Sequence, residues 1–273
     1  MPRYKLCYFD VDETLVDETA RLAGQLLPEL DAALRACGQR GIRLGLATGR
    51  MLEAARPYAD LVGASAPLIL YNGARIQDAE SGEVLFGLEL EPEETRRALR
   101  LARKHGLHVN FYQDEEILIE AESEAARSSA RKDGVQQRLV RDLDAAVRAD
   151  RGPTKLLCIG PGERLEALKT DFDSKPHLAE LVRSEPTYME VLPHGVSKGA
   201  ALSRVAAMLE VPPESIAAFG DSNNDIEMLE YAGLGVAVAN ALDAVKRASD
   251  LVAPRPNGTG VADVLRAHVL ARD

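Results

Sequence analysis

Short apolar runs alternate with stretches of helical periodicity along the amino-terminal part of the chain. The apolar runs at 6–9, 42–47 and 68–71 predict buried strands. Apolar residues at helical spacing predict one helix over 18–37 and another in the stretch that ends near Leu61. Strands that alternate with helices in this way predict a parallel sheet with helices on both faces.

The pattern changes between about residues 82 and 189. A helix is predicted over 90–106, because acidic residues occupy its first turn, basic residues occupy its last turn, and glycine ends it. The remaining elements predicted here are strands at 108–112, 117–121 and 155–159, a loop or exposed helix at 122–138, and a helix at 163–172. Neighbouring strands with segregated helices predict an α+β module inserted into the parallel fold.

The first pattern returns after about residue 190. It predicts helices at 198–209 and 260–270 and strands at 216–219, 235–238 and 251–252, with a loop at 257–260. The sequence therefore predicts an α/β fold. Its core is a doubly wound parallel sheet formed by residues 1–81 and 190–273, and residues 82–189 form an inserted α+β domain.

Composition narrows the functional classes. The net charge is −10 and no block of basic residues is present, so nucleic acid is not expected as a partner. The three cysteines lack metal-ligand spacing, which favours reduced thiols and a cytoplasmic protein. No apolar stretch is long enough to predict a membrane span. The composition indicates nothing about the oligomeric state.

Candidate chemistry is concentrated just after predicted strands or at a helix start. The residues concerned are Asp10, Asp12, Thr48, Lys198, Asp221 and Asp225. Ligands of doubly wound sheets bind at the carboxyl edge, so these side chains are expected to converge there. Ligands that are all oxygen favour Mg2+, and a hydroxyl and an ammonium group beside the metal suit a phosphoryl group.

Each of these residues also has a simpler interpretation when taken alone. Asp10 and Asp12 could belong to a turn, Thr48 could cap the following helix, and Lys198 could be a solvated surface residue. The pair Asn72 and Gly73 is typical of a turn. The functional interpretation depends on all of the segments occurring together.

The ordered set of segments resembles the haloacid dehalogenase superfamily of phosphatases, specifically the Cof-like branch with a large α/β cap. The matching segments are Asp10-Val11-Asp12-Glu13-Thr14-Leu15, Thr48-Gly49-Arg50, Asn72-Gly73-Ala74, Val196-Ser197-Lys198-Gly199 and Gly220-Asp221-Ser222-Asn223-Asn224-Asp225. Together with the position of the insertion, they extend the resemblance over essentially the whole chain.

The resemblance implies a role for each residue. Asp10 would attack phosphorus and form a phosphoaspartate, and Asp12 would act as acid and then base, with its backbone carbonyl on the metal. Thr48 and Lys198 would bind the phosphoryl group. The implied Mg2+ ligands are Asp10, Asp12, Asp221, Asn224 and Asp225, and the candidate substrate contacts are Arg50, Asn72 and Gly73.

Glu13 departs from the family pattern, in which many members carry glycine at this position. Glycine accepts backbone angles that other residues avoid. Glu13 is therefore expected either to adopt ordinary angles or to accept some strain.

The predicted function is Mg2+-dependent hydrolysis of a small phosphorylated metabolite, with a sugar phosphate as the first guess. The resemblance also implies that the cap excludes water and selects the leaving group. Two alternatives stay open on the sequence. One is a phosphomutase of the same superfamily, and the other is a non-catalytic sensor of a phosphorylated ligand.

Overall fold

A computed structural model describes residues 3–17, 19 and 24–271. It divides the chain into two compact units. Unit 1 comprises Met1–Phe86 and Ser197–Asp273, and unit 2 comprises Gly87–Val196.

The described elements follow one another in chain order. Before unit 2 they are β1 (Leu6–Phe9), α1 (Pro28–Gln39), β2 (Arg43–Leu46), α2 (Leu52–Val62), β3 (Leu68–Leu70), β4 (Arg75–Gln77) and β5 (Val84–Gly87). Next come α3 (Pro92–Lys104), β6 (His108–Gln113), β7 (Glu116–Ile119), α4 (Glu124–Asp133), β8 (Gln137–Leu139), β9 (Lys155–Ile159), α5 (Gly162–Asp173), β10 (Ala179–Glu185) and β11 (Tyr188–Pro193). The chain continues with α6 (Lys198–Met208), β12 (Ile216–Gly220), α7 (Ile226–Tyr231), β13 (Leu234–Ala237), α8 (Asp243–Ala248), β14 (Leu251–Val252) and α9 (Asn257–Val264).

The five-stranded sheet of unit 1 is parallel and has the strand order β14-β13-β12-β1-β2, and β3, β4 and β5 form a separate three-stranded sheet. Leu6 of β1 lies opposite Ile216 of β12 on one side and Arg43 of β2 on the other. The chain leaves β1 toward β2, and β12 lies against the opposite edge of β1, so the strand order reverses between β1 and β12. Ligands of open α/β sheets bind at such a reversal, beyond the carboxyl ends of the strands.

Unit 2 contains a six-stranded sheet with the order β10-β11-β9-β6-β7-β8. Its pairs are antiparallel except for β7 with β8. One face of β6 and β9 packs through Phe111, Leu156 and Cys158 into an apolar core with α3 and α5. The predicted fold class, a parallel α/β core with an inserted α+β domain, is confirmed.

The helix predicted over 18–37 is wrong in its first part. Residues 24–27 are not helical, and α1 begins at Pro28 and ends at Gln39. Proline favours the first helical turn because its fixed backbone angle suits the helix and its missing N–H has no partner there in any case. Positions 18 and 20–23 of the prediction lie outside the described residues.

The loop predicted at 257–260 is also wrong, because these residues form the first turn of α9. Gly258 has a packing role there. A Cβ atom on Gly258 would lie 2.6 Å from the carbonyl oxygen of Leu15. The stretch 122–138 contains the exposed helix that was one of the two predicted options, but also the unpredicted strand β8, which joins the edge of the sheet of unit 2.

In the loop after β1, Glu13 adopts a strained backbone conformation, the second of the two expected possibilities. Its φ is 58°, in the left-handed region that favours glycine. The backbone is held there because the Glu13 N–H donates to the Val16 carbonyl at 2.9 Å and the Asn240 side chain donates to the Glu13 carbonyl at 2.7 Å. The loop therefore keeps a glycine-like conformation at a residue that carries a side chain.

We predict that Glu13→Gly stabilises the protein. Relief of left-handed strain contributes about 1–2 kcal/mol, and the greater freedom of glycine in the unfolded chain offsets about 0.4–1 kcal/mol of it. Urea unfolding should therefore show a gain of up to about 1.5 kcal/mol. Glu13→Ala is the control, since it keeps the Cβ atom and the strain. Equal stability of the two variants would contradict this explanation.

Candidate active site

A buried lysine joins two aspartates at the carboxyl edge of the parallel sheet. Lys198 Nζ donates to Asp10 Oδ1 and to Asp225 Oδ1, each at 2.6 Å. Lys198 is 1% exposed and Asp225 is fully buried. An ammonium group is stable at this depth only when charged partners replace its lost water.

Local structure explains how the three groups meet. Asp10 follows β1, and its N–H donates to the Phe219 carbonyl of β12. Lys198 is the first residue of α6, whose start is fixed by the Ser197 hydroxyl as it accepts the N–H of Ala200 at 3.0 Å. A serine at this position is a favoured helix start because it pairs with an otherwise free N–H.

Asp225 also organises the loop that follows β12. Its Oδ1 accepts the hydrogen bond from Lys198, and its Oδ2 accepts the N–H groups of Asp221 at 3.0 Å and Ser222 at 2.9 Å. The side chain of Ser222 in turn accepts the N–H of Asp225, which completes a reciprocal capping box. Both oxygens of Asp225 are thus engaged in fixing Lys198 and the backbone of Asp221.

Asp221 is held by two hydroxyl groups. Thr14 Oγ1 donates to its Oδ1 at 2.9 Å, and Ser222 Oγ donates to its Oδ2 at 2.8 Å. Burial, followed by the negative charge of Asp225, raises the pKa of Asp221 from 3.8 to about 6, and the hydroxyl groups and Lys198 oppose the rise. Without a further cation, this site therefore disfavours the charged carboxylate.

The same excess of negative charge acts on Asp10. Burial raises the pKa of Asp10 well above its ordinary value, Lys198 lowers it, and Asp225, Asp221 and Asp12 raise it further. The pKa of Lys198 is lowered by burial but raised more strongly by Asp10 and Asp225, so the lysine stays charged. One carboxylate oxygen from each of Asp10, Asp221 and Asp225 lies within 4.8 Å of the others, close enough to share a metal ion.

Asp12 lies in a separate ion pair. Arg50 donates from Nε to Oδ2 of Asp12 at 2.9 Å and from its terminal nitrogen Nη2 to Oδ1 at 2.7 Å. The backbone N–H of Arg50 donates to Thr48 Oγ1 at 3.2 Å. The structure thus places Arg50, a predicted substrate contact, on the predicted acid/base residue.

Asn72 and Gly73 lie in a short turn that connects several site segments. Asn72 is left-handed, with a φ of 57°, and its Oδ1 accepts a hydrogen bond from Asn224 Nδ2 at 2.9 Å. Its N–H donates to the Thr48 carbonyl at 3.0 Å. Gly73 has a φ of 103°, and a Cβ atom on it would lie 2.2 Å from the Ser197 carbonyl oxygen. Glycine is therefore required where this turn meets the start of α6.

The sequence missed two of the groups that shape this site. Thr14 and Ser222 were inside the segments singled out, but neither was given a role. Ser222 directly follows Asp221, and Thr14 lies two residues after Asp12, and this proximity to candidate aspartates is a signal that could have identified them. Their shared partner is Asp221. Thr14 reaches it only because β1 pairs with β12, and the local sequence pattern does not specify that pairing.

Comparison with known proteins identifies the family. A family model described as haloacid dehalogenase-like hydrolase matches residues 7–265 of the chain. The chain belongs to this family. The prediction of a haloacid dehalogenase-type phosphatase is thereby confirmed.

Related proteins match over nearly their whole length. The 5-amino-6-(5-phospho-D-ribitylamino)uracil phosphatase of Bacillus subtilis is 30% identical over 269 residues, which cover 97% of this chain and 96% of that protein. The HMP-PP phosphatase of Yersinia enterocolitica is 30% identical over 247 residues, with coverage of 89% and 87%. A solved haloacid dehalogenase-like hydrolase from Bacteroides thetaiotaomicron superposes with a TM-score of 0.84 at 27% identity, and covers 96% of this chain and 98% of its own.

Among the described residues, no helix is both long enough and apolar enough to cross a bilayer.

The raised pKa of Asp221 predicts a pH dependence of stability in metal-free protein. Between about pH 4 and 6 the folded protein retains a proton on Asp221 that the unfolded chain, with a pKa of 3.8, has released. Stability linked to Asp221 is therefore lost as pH rises through this window. The displacement from 3.8 to about 6 corresponds to about 3 kcal/mol.

We predict that Asp221→Asn becomes more stable relative to the unmodified protein as pH rises from about 4 to 7, by up to about 3 kcal/mol. Urea unfolding of both proteins in excess chelator measures the difference. The exposed Asp173→Asn should not reproduce this trend, because the pKa of Asp173 is lowered. A stability difference that stays constant with pH would contradict the assignment.

Proposed function

We propose that the protein is a Mg2+-dependent phosphatase that hydrolyses a small phosphorylated metabolite, with a sugar phosphate as the first candidate, through a phosphoaspartate on Asp10. The observation that carries the proposal is the Lys198 ammonium, which holds Asp10 beside the buried acidic groups Asp221 and Asp225. A carboxylate fixed in this way is suited to attack an electrophilic phosphorus.

The relatives support the class of substrate. One is named for a ribitylamino-uracil phosphate and the other for HMP-PP, and both names describe small phosphorylated molecules. The matches cover 97% and 89% of this chain. In this proposal, the inserted segment at 82–189 selects the leaving group.

The first chemical step transfers the phosphoryl group to the protein. An oxygen of Asp10 forms a bond to phosphorus while the bond from phosphorus to the leaving oxygen breaks, and Asp12 gives a proton to that oxygen. Lys198 compensates the charge of the phosphoryl oxygens, and Thr48 offers them a hydroxyl hydrogen bond.

The second step releases phosphate. Asp12, now a carboxylate, takes a proton from water, and the water oxygen attacks the phosphorus of the phosphoaspartate. The acyl phosphate bond breaks and Asp10 is regenerated as a carboxylate. Two positioned carboxylates with different partners, Lys198 for Asp10 and Arg50 for Asp12, support this division of roles.

The donor set fits Mg2+. Asp10, Asp12, Asp221 and Asp225 carry more negative charge than Lys198 and Arg50 balance, and a divalent cation would neutralise the difference. The ligands are oxygens, as Mg2+ prefers. When bound, Mg2+ would supply positive charge to the phosphoryl oxygens.

We assign the metal ligands from the hydrogen bonds that each carboxylate accepts in the structure. Asp10, Asp221 and the backbone carbonyl of Asp12 would hold Mg2+, with the amide oxygen of Asn224 as a further candidate. Each oxygen of Asp221 accepts one hydroxyl hydrogen bond, whereas Asp225 accepts the Lys198 ammonium on one oxygen and two backbone N–H groups on the other. Asp225 would therefore orient the ligands around it.

We predict that Asp10→Asn abolishes phosphate release from an aryl phosphate, because the amide cannot form the phosphoenzyme. Phosphate release and thermal unfolding should be measured on the same preparations. The expected result is loss of turnover with a retained cooperative unfolding transition. Substantial turnover by Asp10→Asn would show that Asp10 is not the nucleophile. For the unmodified protein, conversion of a sugar phosphate to an isomer without phosphate release would indicate a phosphomutase.

We further predict that Mg2+ raises thermal stability more at about pH 7.5 than at about pH 5, because protonation of Asp221 competes with the metal. At a concentration of 100 times the dissociation constant, the gain is about 2.7 kcal/mol. Differential scanning fluorimetry with Mg2+ and with chelator measures this difference. Asp221→Asn should lose the response and the exposed Asp173→Asn should keep it. Undiminished activity in excess chelator would contradict the metal site.

A further inference from the structure

Arg50 makes a two-pronged contact with Asp12 that the steps above leave unused. Nε and Nη2 of Arg50 reach different oxygens of the carboxylate, at 2.9 and 2.7 Å. Two parallel hydrogen bonds fix the rotation of a carboxylate as well as its position. A single hydrogen bond or a lysine ammonium would fix only the distance.

The two partners differ in exposure. The Arg50 side chain is 5% exposed, whereas the Asp12 side chain is 39% exposed. The guanidinium also lies over the ring of Tyr58, with its carbon 5.0 Å from the ring centroid. Arg50 is therefore the anchored member of the pair, and Asp12 is the member that solvent and substrate can reach.

The backbone of Arg50 is anchored on both sides. Its N–H donates to Thr48 Oγ1 at 3.2 Å, and its carbonyl accepts the N–H of Tyr71 at 3.1 Å. Tyr71 itself is left-handed, with a φ of 51°, which is a strained conformation for a large side chain. Strain of this kind persists only where surrounding contacts enforce it, so the turn gives Arg50 a rigid support.

We propose that Arg50 is a positioning residue that sets the orientation of the Asp12 carboxylate for proton transfer. The inference rests on the proposed function and replaces the sequence-based expectation that Arg50 contacts substrate. Arg50 does not exchange a proton itself, because a guanidinium stays protonated in proteins. Its effect on the reaction passes through Asp12, whose oxygen must lie within hydrogen-bond reach of the leaving oxygen.

The test uses two aryl phosphates of similar shape. Phenyl phosphate has a leaving oxygen that needs a proton, and dinitrophenyl phosphate has one that departs without protonation. The value of kcat/KM reports the steps up to departure of the leaving group. Loss of a positioned acid should therefore lower kcat/KM for phenyl phosphate and affect dinitrophenyl phosphate little.

We predict that Arg50→Lys lowers kcat/KM for phenyl phosphate about 10- to 100-fold, a part of the full contribution of a general acid. The change for dinitrophenyl phosphate should be less than about threefold. Arg50→Met should behave like Arg50→Lys, since positive charge without the fork does not orient Asp12. Equal losses on both substrates, or recovery of activity with lysine, would assign Arg50 to binding of the phosphoryl group and overturn the proposal.

A second measurement combines Arg50→Lys with Asp12→Asn. If Arg50 acts through Asp12, adding Arg50→Lys to Asp12→Asn causes no further loss on phenyl phosphate. An additional loss equal to that in the unmodified background would mean that Arg50 acts independently, and would contradict the inference.

Two further variants guard against a purely structural explanation. Arg56→Met removes a guanidinium from α2, the helix that follows Arg50 and carries Tyr58. Nη1 of Arg56 donates to the Ala79 carbonyl, and this variant should leave the ratio of kcat/KM for phenyl phosphate to kcat/KM for dinitrophenyl phosphate unchanged. Tyr58→Leu keeps Arg50 but removes the ring beneath its guanidinium. Like Arg50→Lys, it should lower kcat/KM for phenyl phosphate relative to kcat/KM for dinitrophenyl phosphate, but by a smaller factor. If Arg56→Met lowers the ratio as much as Arg50→Lys, the inference fails.

The proposed function and this inference fail in different ways. If the unmodified protein releases no phosphate from either compound, the proposed function fails. If the unmodified protein turns over both compounds and Arg50→Lys leaves the ratio of their kcat/KM values unchanged, only the inference about Arg50 fails.

Discussion

The arrangement of the site depends on one buried cation shared by two carboxylates. Lys198 reaches Asp10 and Asp225 at the same distance of 2.6 Å, from a position that is almost fully enclosed. Removal of the Lys198 ammonium would leave both carboxylates buried without their shared cation, which is strongly destabilising. The pairing also ties together segments that are far apart in the chain, because β1, α6 and the loop after β12 each supply one group.

The sequence predicted the core elements well, and the reason is physical. Buried parallel strands are short and uniformly apolar, so β1 and β12 stand out from their surroundings. The strands β4, β5, β10 and β11 were not predicted, and in β10 the reason is that it is only partly buried, so its pattern is mixed. The start of α1 was misplaced because periodic apolar residues before Pro28 suggested a longer helix than the described residues contain.

The candidate site residues were singled out by the order of their segments along the chain, but their contacts with one another were not predicted. Nothing in the segment Thr48-Gly49-Arg50 indicates that Arg50 turns toward Asp12, since this depends on the turn at Tyr71 and on the ring of Tyr58. The hydrogen bonds by which Asp225 orders the loop after β12 could likewise not be predicted from the local sequence pattern. Its hydrogen bonds to the N–H groups of Asp221 and Ser222 arise only once the loop has formed a capping box.

The close contact between Gly73 and the Ser197 carbonyl has a consequence for how such proteins diversify. Gly73 precedes the inserted unit in the chain, and Ser197 is the first residue after it. A turn that precedes the insertion and the residue that directly follows it are thus in contact within unit 1. Under the proposed function, an insertion bounded in this way could change in length or be exchanged without displacing Lys198, so that specificity could change while the reaction chemistry is preserved.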